Sequence, residues 1–352
     1  MNNEERDSMR RQREVWARDT LAAQVVVIED LAARADDPVG WSAVDRQARA
    51  YLRHLKTWQH GNWFEALRDA MEAQEATMTA WVARADEELC EVDPDERAEA
   101  AHRVGLRLAV IGKGGSGKTV ISSTLARLLG RQGRRVLVAD LDVNPGLTYS
   151  IGMGGTDISL PVDALEPRPG AAYGWQLRQG LLPRDAVERF SFAAPDGVRV
   201  TGLGKIGGAD KTAAKRTVVA VVELLLGFGE PGWDVIGDLE AGPTTPFERY
   251  HAFADDVVIV VGPAWRSAMT ARRLLPMVGE GRSTTIVANR FRNEPDHPGL
   301  SPQLRIPFDP EVALAERQGL CPLEVCPDSP TIAALRQMAD LLASRRPGLT
   351  PA

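Results

Sequence analysis

The chain has 352 residues, 44% of them hydrophobic and 26% charged, and a formal net charge of −6. That length suits one large domain plus a smaller one, and the composition is that of an ordinary globular protein. The acidic balance argues against a protein that coats nucleic acid, and three scattered cysteines do not make a disulfide framework.

The opening stretch "MNNEERDSMRRQREVW" is charged throughout and does not read as a signal peptide. The longest apolar run, "VVAVVELLLGF", is too short to span a bilayer and carries Glu223 in its middle, so a cytoplasmic protein is expected. Residues 1–104 hold 14 basic and 22 acidic side chains, five of the eight tryptophans, and helical patterns only. "REVWARDTLAAQVVVIEDLAARA" predicts a first helix, broken by Pro38 and Gly40. Ser42 with Asp45 predicts the start of a second, and Asn62 with Glu65 resembles a capping box opening a third. Phe64, Leu67, Met71, Gln74, Met78 and Trp81 of that third helix alternate by three and four. This spacing makes a seam for another helix, inside a small bundle or exposed for a partner or second copy. "DPDERAEAAHRVG" predicts a short capped helix with a hinge at Gly105.

From Leu106 the pattern changes. "LRLAVI", "RRVLVAD", "GVRVTGL", "WDVIGD", "DVVIVV", "TTIVAN" and "QLRIP" read as strands. Amphipathic stretches such as "TVISSTLARLLGRQG", "AMTARRLLPMV" and "TIAALRQMADLLA" separate most of them. Apolar strands with helical connections predict an α/β domain over residues 105–352, a doubly wound and mostly parallel sheet preceded by an all-α domain at 1–104. Ligands of such sheets bind at the carboxyl ends of the strands. "CPLEVC" puts Cys321 and Cys326 five apart, but with no His or further Cys nearby they read as small buried residues rather than a metal pair.

The chemistry concentrates in "VIGKGGSGKTVISS". The chain contains only six lysines, yet Lys113 and Lys118 both sit in this loop. Gly112 to Thr119 matches G-x-x-x-x-G-K-[ST], following a predicted strand and opening a predicted helix. In a P-loop the glycines, here Gly112, Gly114, Gly115 and Gly117, let backbone N–H groups curl round a phosphate, with Ser116 and Val120 in the same wrap. Lys118 then reaches the β- and γ-phosphates, and the Thr119 hydroxyl ligates Mg²⁺. The same glycines also satisfy G-x-G-x-x-G, with Asp140 ending the next strand, so a nicotinamide oxidoreductase is a rival reading. That rival leaves Lys118 and Thr119 without a role and ignores "WDVIGDLEAG", a further strand ending in an acid, as a nucleotide hydrolase requires.

"KGGSGKT" resembles the deviant Walker A ATPases, K-G-G-x-G-K-[ST], a group including Min-type septum-site ATPases, ParA partition ATPases, the nitrogenase iron protein and carbon monoxide dehydrogenase accessory ATPases. The resemblance implies an ATP- and Mg²⁺-dependent homodimer in which Lys113 reaches the phosphates bound by the other subunit. "VLVADLDVNPGLT" is similar to switch I of the family. It implies that Asp142 positions the attacking water and that Asp140 supports the metal from behind. "WDVIGDLEAG" resembles switch II, implying Asp238 as the Walker B acid and Gly242 as a backbone contact to the γ-phosphate; "DLEAG" looks closest to the carbon monoxide dehydrogenase accessory type. "TTIVANRF" places Asn289 where the family reads adenine, and "IPFDPEVALAE" puts Pro307 and Asp309 in the loop beside that base.

The pattern departs in three places. The iron protein's cysteine after switch II is Ala241 here, and no cysteine occurs between Val143 and Pro243, which removes iron–sulfur transfer and weakens a metallochaperone role. The end, "LLASRRPGLTPA", is no basic membrane helix, so direct membrane insertion is not expected. The helical front matches none of these relatives and is expected to fold separately and dock an unidentified protein partner. The expectation is an ATP-gated dimerisation switch. A ParA-like DNA-positioning role through Arg272, Arg273, Arg290 and Arg292 is the less favoured alternative.

Overall fold

The computed structural model describes residues 3–58, 64–142, 146–167, 175–203, 211–240, 250–279 and 281–344. The chain forms two compact units: Met1–Val104 with Pro161–Phe190 and Lys215–Pro231, and Gly105–Leu160 with Ser191–Ala214 and Gly232–Ala352. The helices are α1 (Asn3–Ala33), α2 (Pro38–Trp58), α3 (Phe64–Leu89), α4 (Pro94–Arg103), α5 (Lys118–Arg131), α6 (Leu147–Ser150), α7 (Pro183–Phe190) and α8 (Lys211–Gly227). They continue with α9 (Trp265–Leu274), α10 (Pro310–Gln318), α11 (Pro322–Val325) and α12 (Pro330–Ser344). The strands are β1 (Arg107–Gly112), β2 (Arg135–Leu141), β3 (Leu165–Pro167), β4 (Trp175–Leu177) and β5 (Phe192–Ala193). Beyond them lie β6 (Arg199–Gly202), β7 (Trp233–Leu239), β8 (Asp256–Val261), β9 (Ser283–Phe291) and β10 (Leu304–Pro307).

In the helical unit α2 starts at Pro38, ahead of the expected Ser42. Asp37 Oδ1 accepts the Gly40 N–H at 2.7 Å, and a proline in the first turn lacks a donor that would go unpaired there anyway. Asn62 lies outside the described residues. The start of α4 is as its sequence implies, with Asp93 accepting from the amides of Asp95 and Glu96.

The α3 row decides between the two readings of its seam in favour of a closed bundle. Leu67, Met71, Gln74 and Met78 are buried, and Leu67 and Met71 cluster with Trp16, Leu21 and Leu55. Trp16 stacks on Trp58 at 5.8 Å. Gln74 Nε2 donates to Gln24 Oε1 at 3.1 Å, and Gln24 meets His54 Nδ1 at 3.3 Å. The polar break in the seam is thus answered by a polar partner inside the bundle. Trp81 is half-buried, and the Phe64 side chain is outside the described residues.

The two units do divide between Val104 and Gly105, but residues 105–352 are not all one unit, because the helical unit also takes in β3, β4, α7 and α8 from Lys215 onward. The buried Gln47 donates to the Leu226 carbonyl at 2.8 Å, and Arg34 pairs with Glu230 at 2.7 Å. A Cβ at Gly227 would meet Pro183 at 2.6 Å. Leu224, Leu225 and Leu226 are buried.

The other unit is built on a sheet of order β10-β9-β8-β1-β7-β2-β6-β5. Its pairings are parallel except β5 with β6. All seven strands expected from sequence are present, and β5 adds a short antiparallel edge. β1 is buried from end to end and β8 at every residue after Asp256, as a sheet covered on both faces requires. Leu108, Val110, Ile121, Leu125, Val258 and Leu335 belong to its main core cluster. Gly105, with φ of 104°, abuts the Trp233 carbonyl so closely that a Cβ would sit 2.1 Å from it. The entry to β1 therefore accommodates only glycine.

Candidate functional site

β1 lies between β8 and β7, with β2 next to β7. Register makes Asp238 the neighbour of both Val110 and Asp140. The carboxyl ends of β1, β7 and β2 therefore bring the P-loop and two acids side by side. The loop fits only as glycine at two points. A Cβ at Gly112 would lie 2.6 Å from the Val260 carbonyl, and one at Gly117, with φ of 92°, 2.3 Å from Asn289. Gly117 is also the cap residue of α5.

Lys118 and Ser116 are buried, while Lys113 is half-buried with its Nζ turned back to the Gly114 carbonyl at 3.4 Å. The Thr119 side chain favours the charged form of the Asp238 carboxyl. Ser122 Oγ lies 3.3 Å from Asp238 Oδ1 and 3.0 Å from the Lys118 carbonyl. Asp140 Oδ1 accepts the Asp142 N–H, and Oδ2 accepts those of Gly146 and Leu147, each at 3.1 Å. Asp140 thus gathers the amides of Asp142, Gly146 and Leu147 on one carboxyl, and Asp142 itself is half-buried.

Burial pushes the Asp140 carboxyl up to about 7, with Asp238 adding to the rise. Burial likewise lifts Asp238 to about 6, against the pull of Lys118, Thr119 and Ser122. Two completely buried carboxyls on neighbouring strands with a single nearby lysine form a negatively biased pair that a cation would relieve.

A recess opens beside the loop, lined among others by Val120, Asn289, Pro307, Phe308, Asp309 and Val312. Asn289 Nδ2 donates to the Ser116 carbonyl at 2.7 Å. Asp309 caps α10 by accepting the Glu311 N–H at 2.8 Å. Arg290 NH1 donates to the Gly115 carbonyl at 3.0 Å, and its other arm pairs with Glu316. Burial raises the Glu316 carboxyl, and Arg290 opposes that rise.

Most residues expected at the site from sequence are therefore gathered at one end of the sheet; Gly242 lies outside the described residues. Sequence reasoning missed Ser122, Phe308 and Glu316, and it placed Arg290 in a surface patch. Ser122 carries a readable signal, a small hydroxyl one turn after the P-loop lysine in an apolar helix. Glu316 carries none. Of the four arginines read as a patch, Arg290 is engaged as above and Arg272 lies over the Trp265 ring at 4.8 Å. Cys321 and Cys326 are buried, and the Cys326 thiol donates to the Pro322 carbonyl at 3.1 Å.

Residues 108–320 match the family described as the CobQ/CobB/MinD/ParA nucleotide binding domain. The chain belongs to that family of P-loop ATPase domains. It is 28% identical over 233 residues to an uncharacterised ATP-binding protein of Methanocaldococcus jannaschii, covering 61% of this chain and 90% of the relative. It is 29% identical over 241 residues to the carbon monoxide dehydrogenase accessory protein CooC of Rhodospirillum rubrum, covering 63% and 91%. Among solved structures it resembles the septum site-determining protein MinD of Pyrococcus horikoshii, solved with Mg-ADP. That likeness has 19% identity, a TM-score of 0.50, and covers 67% of this chain and 94% of the other. No helix among the described residues is long and apolar enough to cross a membrane.

Proposed function

We propose that the protein is a Mg²⁺-dependent ATPase that closes into a homodimer with ATP and separates after hydrolysis, the change being read by another protein. One observation carries this reading: Lys118, Thr119, Asp238 and the Asp142 loop converge at the carboxyl ends of adjacent strands, next to a recess holding Asn289. Lys118 would meet the β- and γ-phosphate charge, and the loop amides with the start of α5 would surround the phosphates. Thr119 would ligate Mg²⁺ while Asp238, with Asp140 behind it, holds its water shell; the buried acid pair supplies the negative bias a cation needs. At that position Thr119 and Asp238 would hold a Mg²⁺ whose chemistry is to neutralise phosphate charge. Asp142 would orient the attacking water, and Lys113, from its half-buried position, would add a cation to the partner's phosphates. Asn289 and the Pro307–Asp309 loop would flank the adenine, and Gly242 would reach the γ-phosphate.

Sedimentation with ATP, a non-hydrolysable analogue and ADP tests the proposal. The expected result is a dimer with the first two, a monomer with ADP, and no ATP binding by Lys118→Ala. Normal ATP affinity in that variant would remove the P-loop assignment, and equal native affinity for NAD would favour an oxidoreductase instead.

A further inference from the structure

β9 does not pass the nucleotide loop as a regular strand. Ile306 of β10 is in register with Asn289 and Pro307 with Phe291, which leaves Arg290 as an extra, bulged residue. Its φ is 65°, and the only other described non-glycine residue with positive φ is Asp196. In an unbroken strand Asn289 and Arg290 would face opposite sides of the sheet. A bulge re-aims side chains, and this one brings both onto the same loop. Asn289 Nδ2 donates to the Ser116 carbonyl at 2.7 Å and Arg290 NH1 to the Gly115 carbonyl at 3.0 Å. Lys113 Nζ reaches the Gly114 carbonyl at 3.4 Å. Three consecutive carbonyls of the P-loop thus face a side-chain donor.

The middle contact matters because of what the same peptide does on its other side. The Ser116 N–H donates to the Lys113 carbonyl at 3.1 Å and closes the outer turn of the loop. Gly114 and Gly115 place little steric restraint on this turn, so side-chain contacts to its carbonyls help to set its shape. Arg290 holds its carbonyl outward, and Glu316 on α10 holds Arg290. Left-handed backbone at a residue with a side chain is strained and persists where its surroundings impose it.

We propose that Arg290 is a positioning residue which, anchored by Glu316, latches the Lys113–Ser116 turn into its phosphate-receiving shape. The inference rests on the nucleotide reading above. Its consequence is a residue whose strain serves the loop rather than the fold.

Arg290→Gly tests this directly, because glycine adopts a φ of 65° without strain and the backbone can stay as it is. The variant is expected to keep a cooperative melt near the native temperature, relief of strain offsetting the lost Glu316 pair, and yet bind ATP and ADP about tenfold more weakly, as loss of a charge-assisted contact does. Arg290→Lys keeps a cationic donor and is expected to recover most of that affinity. Calorimetric titration with each nucleotide and thermal melts supply both readouts. ATP binding by Arg290→Gly within about twofold of native would overturn the proposal, since a contact to a charged group is worth more than that. So would loss of the cooperative melt alongside the weaker binding, which marks a merely structural role. An Arg290→Lys protein as weak as the glycine variant would also overturn it. A native protein that binds no ATP would remove the nucleotide reading itself, and this result appears before any substitution is made.

Discussion

Lys113 and Lys118 are five residues apart in a chain with six lysines, and their surroundings set them different tasks. Lys118 is buried beside Asp238, whereas Lys113 is half-buried against its own loop. Lys113→Ala is therefore expected to bind ATP almost normally but to lose ATP-dependent dimerisation or turnover. An unimpaired dimer with native turnover would make Lys113 a loop lysine and nothing more. Asp142→Ala is expected to bind ATP and dimerise while hydrolysing about a hundredfold more slowly, the usual cost of losing a positioned acid or base. Turnover near native would move that role away from Asp142. Asp140 is the less suitable replacement, because its carboxylate already accepts three backbone N–H groups.

Helix α3 shows how an element's pattern leaves its partner open. Period and polarity are the same for a helix seam that closes on its own bundle and for one awaiting another protein. What separates them is the cover provided by α1 and α2, residues that are distant in sequence. Met78 is fully buried, so Met78→Glu is expected to cost at least about 3 kcal/mol, the scale of an unpaired charge in a core. Loss of the cooperative melt or a steep fall in melting temperature would be the observation. A variant that melts like the native protein would restore the exposed seam. At the other end of the scale of legibility, the P-loop could be read in full from its letters, since its chemistry is local to one turn and one helix start.

For the molecule as a whole, the two segments that join the helical unit change what removing residues 1–104 would do. A chain beginning at Gly105 would lack Gln47, the donor to the buried Leu226 carbonyl, and Arg34, the partner of Glu230. Such a protein is expected to be poorly soluble alone and to recover solubility and ATP binding when residues 1–104 are co-expressed. A monodisperse truncated protein with native ATP affinity would instead show that the helical front is dispensable.

Seven of the sheet's eight strands and the order of the nucleotide motifs along it were determined by the sequence alone. Buried parallel strands must be apolar throughout, and phosphate loops require glycine and lysine at fixed steps. Tertiary structure decided the rest. Parallel register set Asp140 beside Asp238 across nearly a hundred residues of chain. Packing turned the α3 seam inward, and Pro161–Phe190 and Lys215–Pro231 joined the helices because their apolar faces needed cover that their own neighbours in sequence do not supply. The bulge that aims Arg290 at Gly115 arises from the pairing of β9 with β10. Residues remote in sequence meet only through chain folding, and no local pattern encodes that pairing.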